Sequence, residues 1–269
     1  MTDWKLAIQE DMLPGPTLED RFVQASDLGL QGIEFWSESL PEQVAEIERL
    51  SEQGSIVASS INNGRRSRFL DPDPDERARA MTELSEAIEL GGRIGVEGVV
   101  FVPHFFDPLL PDLSPYKSAV DLELALLSKQ LEILAEAAER ANVQLFVESV
   151  NREETHLLNR LDQAAALVDP LGHDRLDIVA DLFHMAHEEA DISAAILENR
   201  EHIGHVHIAD SNRKLPGQGA TEFKPILIAL REIGFGGWLA LECGSPGQNQ
   251  AQADLYFTEL PDSLSALFG

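Results

Sequence analysis

The chain has 269 residues, 47 acidic and 20 basic side chains, a formal net charge of -27 and 43% apolar residues. That length suits one large α/β barrel or two modest domains, and the apolar fraction is ordinary for a folded protein, which excludes wholesale disorder. The single cysteine, Cys243, excludes an intrachain disulfide and a multi-cysteine zinc site, and a surface this acidic repels phosphate backbones, so nucleic acid is not an expected partner.

Taken in chain order, a short apolar run is followed each time by a polar turn and a helical pattern. The run 5–9 (KLAIQ) precedes a helix over 18–28, with Thr17 as its expected N-cap. The run 32–36 (GIEFW) precedes a helix over 41–53, and 55–62 (SIVASSIN) one over 75–91. After 98–104 (GVVFVPH) comes 121–141, where apolar positions recur every three to four residues. The runs 143–149 (VQLFVES), 176–181 (LDIVAD), 202–210 (HIGHVHIAD) and 237–243 (GWLALEC) lead into helices over 159–168, 192–199, 225–233 and 253–267. Short, apolar, often β-branched runs suit strands buried on both faces of a parallel sheet. Eight of them alternating with eight helices predict a single (β/α)₈ TIM barrel, an α/β fold forming one domain over residues 1–269. A doubly wound open sheet is the weaker reading, because no G-x-G-x-x-G follows the first run. The first twenty residues lack a basic-then-apolar leader and no apolar run reaches about 18 residues, so no membrane partner and a cytoplasmic location are expected.

The C-terminal ends of barrel strands converge on one mouth. Glu148 ends LFVE, Asp181 ends DIVAD, His207 lies inside HVHI and Glu242 ends LALE. Three carboxylates and one imidazole make an oxygen-rich donor set for one divalent ion, Mn²⁺ first, with Mg²⁺, Co²⁺ or Zn²⁺ as alternatives. Each residue alone has a plainer reading, since a strand-end acid often caps the next helix and a lone histidine is more often a core residue. Four on consecutive strands are harder to explain that way, because buried carboxylates without a cation repel one another.

Three motifs, ESVNREE (148–154), DLFHMAHEE (181–189) and HIADSNRKLPGQG (207–219), together with LALE ending at Glu242, resemble the xylose-isomerase-like barrel superfamily. Within it the chain is most similar to the sugar isomerases and to ketose 3-epimerases of the tagatose and psicose type. The likeness is closest over 143–242 and rests on the strand–helix rhythm before that. It implies that Glu148, Asp181, His207 and Glu242 hold one metal ion, and that Glu148 and Glu242 also form the acid/base pair. It further implies that His184 contacts the substrate near its carbonyl oxygen, that Arg213 binds the same end, and that Glu154 hydrogen-bonds a substrate hydroxyl. The implied reaction is isomerisation or epimerisation of a small ketose or hydroxy-carbonyl sugar through a metal-stabilised enediolate. Relatives of this kind are often dimers or tetramers, so a homo-oligomer is compatible with the resemblance.

Other readings stay open at this stage. A dehydratase of a cyclic keto-polyol would share the proton abstraction but expel a hydroxyl. A sugar-binding protein without catalysis is countered by the presence of both glutamates. An apurinic-site endonuclease would need three zinc ions and more histidines than this chain offers, and the third run supplies Asn62 and Asn63 instead. His104 is then a pocket wall or a core residue. His184 has a structural alternative, Arg213 an ion pair with Asp210 or a neighbouring acid, Glu154 a solvated loop position, and 216–219 (PGQG) a simple turn. Arg65, Arg66 and Arg68 could hold an anionic group, but pairing with Asp71, Asp73 and Asp75 is the favoured reading.

Overall fold

The computed structural model describes residues 4–64, 68–244 and 250–268. Eight parallel strands close a barrel in sequence order, with β1 pairing β8. They are β1 Lys5–Gln9, β2 Gly32–Trp36, β3 Val57–Asn62, β4 Gly98–Phe101, β5 Gln144–Glu148, β6 Leu176–Asp181, β7 Ile203–Ile208 and β8 Trp238–Leu241. The helices among the described residues are α1 Leu18–Asp27, α2 Leu40–Gln53, α3 Pro74–Ile94, α4 Ala119–Ala141, α5 Leu161–Val168, α6 Leu182–Glu188, α7 Ile192–Glu198, α8 Phe223–Glu232 and α9 Gln250–Phe268. None of the described helices is long and apolar enough to cross a membrane. The predicted (β/α)₈ barrel is the observed fold.

Local chemistry sets the element ends. Thr17 caps α1 as expected, in a reciprocal box with Asp20. Ser118 and Asp121 form the same box on α4, which therefore starts before the predicted residue 121. α3 runs past the predicted residue 91 to Ile94 and stops at Gly95, whose φ of 74° suits a glycine. β4 ends at Phe101, short of the predicted residue 104, because Pro103 cannot donate to the strand ladder. His104 therefore belongs to the loop after β4. The helix α6 was not among those predicted. It spans about two turns and is capped by Asp181, whose side chain accepts from the His184 N–H at 2.9 Å.

Alternation along each strand sorts residues between the helix layer and the barrel interior. One phase sends Gln9, Glu34, Ser60, Phe146, Glu148, His205, His207 and Glu242 inward. At one level Phe146 fills the barrel, its ring stacked on His205 at 5.3 Å between centroids. This is where Gly98 and Gly204 are needed, since a Cβ on Gly204 would approach the Phe146 ring to 2.5 Å and one on Gly98 would overlap the same ring. Beyond this apolar layer the interior turns polar, and the polar stack leads to the mouth.

Candidate active site

Glu148 and Asp181 are the last residues of β5 and β6, His207 is one short of the end of β7, and Glu242 directly follows β8. All four are buried. His207 Nδ1 faces the three carboxylates, 3.1 Å from Glu148 Oε1, 3.3 Å from Glu242 Oε2 and 3.6 Å from Asp181 Oδ2. One donor atom from each residue lies within 4.8 Å of all the others. The structure thus brings together the whole expected ligand set.

The charges in this cluster are strained. Burial, with repulsion from Glu242 and Asp181, pushes the Glu148 carboxyl up to about 8 despite the His207 ring beside it. Burial would also raise Asp181, but His184, His207 and Arg213 hold it well below the usual carboxylate range. Burial would depress His207, yet Glu242, Glu34 and Glu148 lift it well above the ordinary imidazole range. A pocket that crowds three carboxylates around one ring nitrogen fits a divalent cation, which would relieve the repulsion and replace the protons.

The second ring nitrogen of His207 points into the barrel. Its Nε2 lies 3.2 Å from Glu34 Oε1 on β2. Glu34 is fully buried and accepts from Ser60 Oγ at 2.6 Å and from Gln9 Nε2 at 3.1 Å. Gln9 Nε2 also donates to Glu242 Oε1 at 2.9 Å, so one amide links Glu34 to the cluster. His205 Nε2 sits 3.0 Å from Glu34 Oε2, but neither ring nitrogen of His205 makes a well-aligned hydrogen bond. Burial would raise Glu34, but the His207 and His205 rings hold it well below its usual range. Glu34 and Gln9 were not among the predicted site residues. The signal was the alternation in GIEFW and KLAIQ, which puts both in phase with the inward face.

The residues expected around a substrate line one small pocket with Trp36, Asn62 and Phe105. The Nδ1 of His184 accepts from the Asn151 N–H at 3.1 Å, and its Nε2 faces Arg213 Nη1 at 3.4 Å. Burial keeps this imidazole below its ordinary pKa. Arg213 reaches Glu154 Oε1 at 3.6 Å and Glu242 Oε2 at 3.5 Å, and its guanidinium lies over the Phe183 ring at 4.8 Å. The expected alternative partner, Asp210, is engaged elsewhere. Its oxygens accept from the backbone N–H groups of Ser211, Gly217, Gly219 and Thr221, which ties down the loop containing 216–219. Near Glu242, Asp11 has no well-aligned hydrogen-bond partner, and burial pushes it up to about 6.

His104 stands apart from the cluster. Its Nε2 lies 2.9 Å from the Asp107 carbonyl oxygen and its ring packs edge-on against His156. Arg68 pairs with Asp71 at 3.2 Å, as the favoured reading had it, and with Glu76 at 3.7 Å, an acid that reading did not name. Arg65 and Arg66 lie outside the described residues.

With this geometry in view, residues 22–260 match the family model for the xylose isomerase-like TIM barrel. The chain belongs to that family. Among relatives of this xylose isomerase-like barrel, the 3-dehydro-D-guloside 4-epimerase of Escherichia coli (strain K12) is 24% identical over 251 residues, 93% of this chain and 95% of the relative. The L-ribulose 3-epimerase of Mesorhizobium japonicum is 33% identical over 199 residues, 72% of this chain but 64% of the relative. Others are D-psicose 3-epimerases. A crystal structure of 3-keto-D-glucoside 4-epimerase from E. coli superposes with a TM-score of 0.85 at 24% identity, covering 98% of this chain and 99% of that one, which establishes likeness of fold. The curated relatives are sugar epimerases.

Proposed function

We propose that this protein is a divalent-metal-dependent epimerase of a keto sugar, in which Glu148 and Glu242 transfer the proton. The observation that supports this most directly is the buried set of Glu148, Asp181, His207 and Glu242, with three carboxylates turned toward one imidazole nitrogen at the barrel mouth. The relatives' names share one chemical feature. A 3-keto sugar inverted at carbon 4 and a 2-ketose inverted at carbon 3 both exchange the hydrogen on the carbon beside the carbonyl.

That hydrogen is a weak acid. Glu148 and Glu242 belong to strands on either side of β6 and β7, so they flank whatever lies over His207. One carboxylate takes the proton from one face and the other returns a proton to the opposite face, which inverts the centre. The oxygen-rich donor set favours Mn²⁺, and the bound cation supplies Lewis-acid stabilisation of negative charge on the carbonyl and neighbouring hydroxyl oxygens. His184, anchored through Nδ1, turns its Nε2 edge toward the carbonyl end beside Arg213. Arg213 holds the same end by charge, and Glu154 accepts from a hydroxyl.

The reading is tested with Mn²⁺-loaded protein and a panel of keto sugars in D₂O. Deuterium is expected at the inverted carbon. Glu148→Gln and Glu242→Gln each lower kcat by about 10³-fold or more, and chelation abolishes turnover until Mn²⁺ is restored. Near wild-type turnover in either variant overturns the proton-transfer pair. Release of water without inversion identifies a dehydratase instead.

A further inference from the structure

We propose that Asp210 is a positioning residue of the active site: its buried carboxylate is the hub around which loop 210–221 folds, and it acts through Arg213, which that loop carries into the catalytic pocket. The inference rests on the epimerase reading above, in which Arg213 holds the carbonyl end of the substrate, and adds the residue that puts Arg213 there. The chain leaves β7 at Ile208 and does not enter α8 until Phe223. A connection of that length has neither a strand ladder nor a helix to satisfy its backbone, so something else must.

Asp210 supplies that partner. Its Oδ1 accepts from the N–H of Ser211 at 2.7 Å and of Thr221 at 3.0 Å. Its Oδ2 accepts from the N–H of Gly217 at 2.9 Å and of Gly219 at 2.8 Å. Donors from both ends of the loop thus converge on one fully buried carboxylate, with no side-chain cation paired to it among the described residues. Burial would raise this carboxyl, but the backbone N–H groups around it hold it below its ordinary range. Gly219 is glycine for the same reason, since a Cβ there would overlap Asp210 Oδ1.

Arg213 is what the hub holds in place. Its φ is 60°, a left-handed backbone that residues with a side chain rarely adopt and keep only where their surroundings over-determine it. Here both sides of the residue are pinned. The Arg213 N–H donates to the Asp210 carbonyl at 2.8 Å, and the Arg213 carbonyl accepts from the Gly244 N–H at 2.6 Å, two residues past Glu242. The outcome is a guanidinium in the catalytic pocket, with Nη1 3.4 Å from His184 Nε2 and Nη2 3.5 Å from Glu242 Oε2. Its Nε is buried and makes no hydrogen bond among the described residues, so this donor stays open for a bound oxygen. A relaxed Arg213 backbone would re-aim all of these atoms at once.

Asp210→Asn keeps the shape of the side chain but sets an NH₂ against two of the four backbone donors. Amide hydrogen exchange and kinetics on the keto-sugar panel are both read on Mn²⁺-loaded protein. In the variant the amides of Gly217, Gly219 and Thr221 are expected to exchange about tenfold faster or more, while those of the barrel strands keep their protection. The kcat/KM is expected to fall about tenfold or more, through misplacement of Arg213. A double-mutant cycle decides the route: added to Arg213→Ala, Asp210→Asn is expected to lower kcat/KM by less than about twofold further. Gly219→Ala crowds the same carboxylate from an exposed loop position, is expected to reproduce all three effects, and carries the test alone if Asp210→Asn does not fold. Unchanged exchange at the three amides, unchanged kcat/KM, or an equal fall with and without Arg213 overturns the positioning role and leaves the epimerase reading standing. If the unaltered protein exchanges the hydrogen of no keto sugar, the epimerase reading falls and takes this inference with it.

Discussion

Glu34 and His207 show how single side chains set the properties of the mouth. An imidazole that binds a cation through one nitrogen is oriented by what its other nitrogen donates to, and a carboxylate in that place fixes tautomer and ring angle together. Glu34 meets that need at 3.2 Å from His207 Nε2 and is itself fixed by Ser60 and Gln9. Glu34, His205 and His207 could also be read as a second metal site. Against that, Glu34 already accepts from Ser60 and Gln9, and His207 Nδ1 is turned the other way, toward Glu148. Glu34→Gln, which keeps shape and removes the charge, is therefore expected to weaken Mn²⁺ binding about 10- to 100-fold while the stoichiometry stays at one ion per chain. Competition against a fluorescent chelator measures the first and elemental analysis the second. Unchanged affinity sinks the orienting role, and loss of one of two bound ions would mark a second site. The four cluster residues were legible in the sequence because each sits within one residue of a strand's C-terminal end, where barrel geometry gives position a meaning. Glu34 and Gln9 were not, because only the strand ends were weighed, while these two polar residues show themselves by the alternation within their runs. Of the acids weighed as partners for Arg213, Asp210 is ruled out for a local reason, since four backbone N–H groups already occupy that carboxylate, and the neighbouring acids Glu154 and Glu242 take its place.

Strands and helices were legible where a periodic or chemical signal was strong. Thr17 marked α1, and the apolar spacing within 121–141 marked most of α4, although its first turn depends on the Ser118–Asp121 box. The helix α6 was hidden because Asp181 serves both as strand end and as helix cap, so the helix follows β6 with no polar turn between them to announce it. The barrel's inner packing was equally hidden, since glycines inside strands carry no hydrophobic pattern. Gly204 on β7 nevertheless decides how Phe146 fits. A Cβ there meets the ring at 2.5 Å and the Asp177 side chain at 2.9 Å, and the strand backbone leaves it no room to retreat. Gly204→Ala is expected to lower stability by about 1–3 kcal/mol, the usual cost of overpacking a closed core. Urea unfolding measures it. A loss below a few tenths of a kcal/mol would show that the ring has space to shift. Because Phe146 supports His205 at 5.3 Å, the same variant probes the layer directly beneath the candidate site.

Over the molecule as a whole, charge opposes the compact state. Twenty basic residues cannot offset 47 acidic ones, and the excess of 27 negative charges is spread along the chain without forming a tail. Surface pairs such as Arg93–Glu48 and Lys129–Glu132 exist, but exposed pairs each contribute well under about 1 kcal/mol. Self-repulsion among the unmatched carboxylates acts over longer distances and is greater in the folded state, where the charges are held close together. Raising the ionic strength from about 0.01 M to 1 M shrinks the screening length from about 30 Å to 3 Å. Both kinds of interaction then fade, and with acids in such excess the repulsive one is the larger loss. KCl is therefore expected to raise the melting temperature by roughly 2–8 °C, equivalent to one or two kcal/mol at this chain length. Melts run with chelator present keep metal binding out of the comparison. The gain should level off once the screening length falls below the spacing of the surface acids, whereas a general solute effect would keep climbing with concentration. A flat or falling melting temperature across that range would mean that the acidic surface is already neutralised locally and does not act against folding.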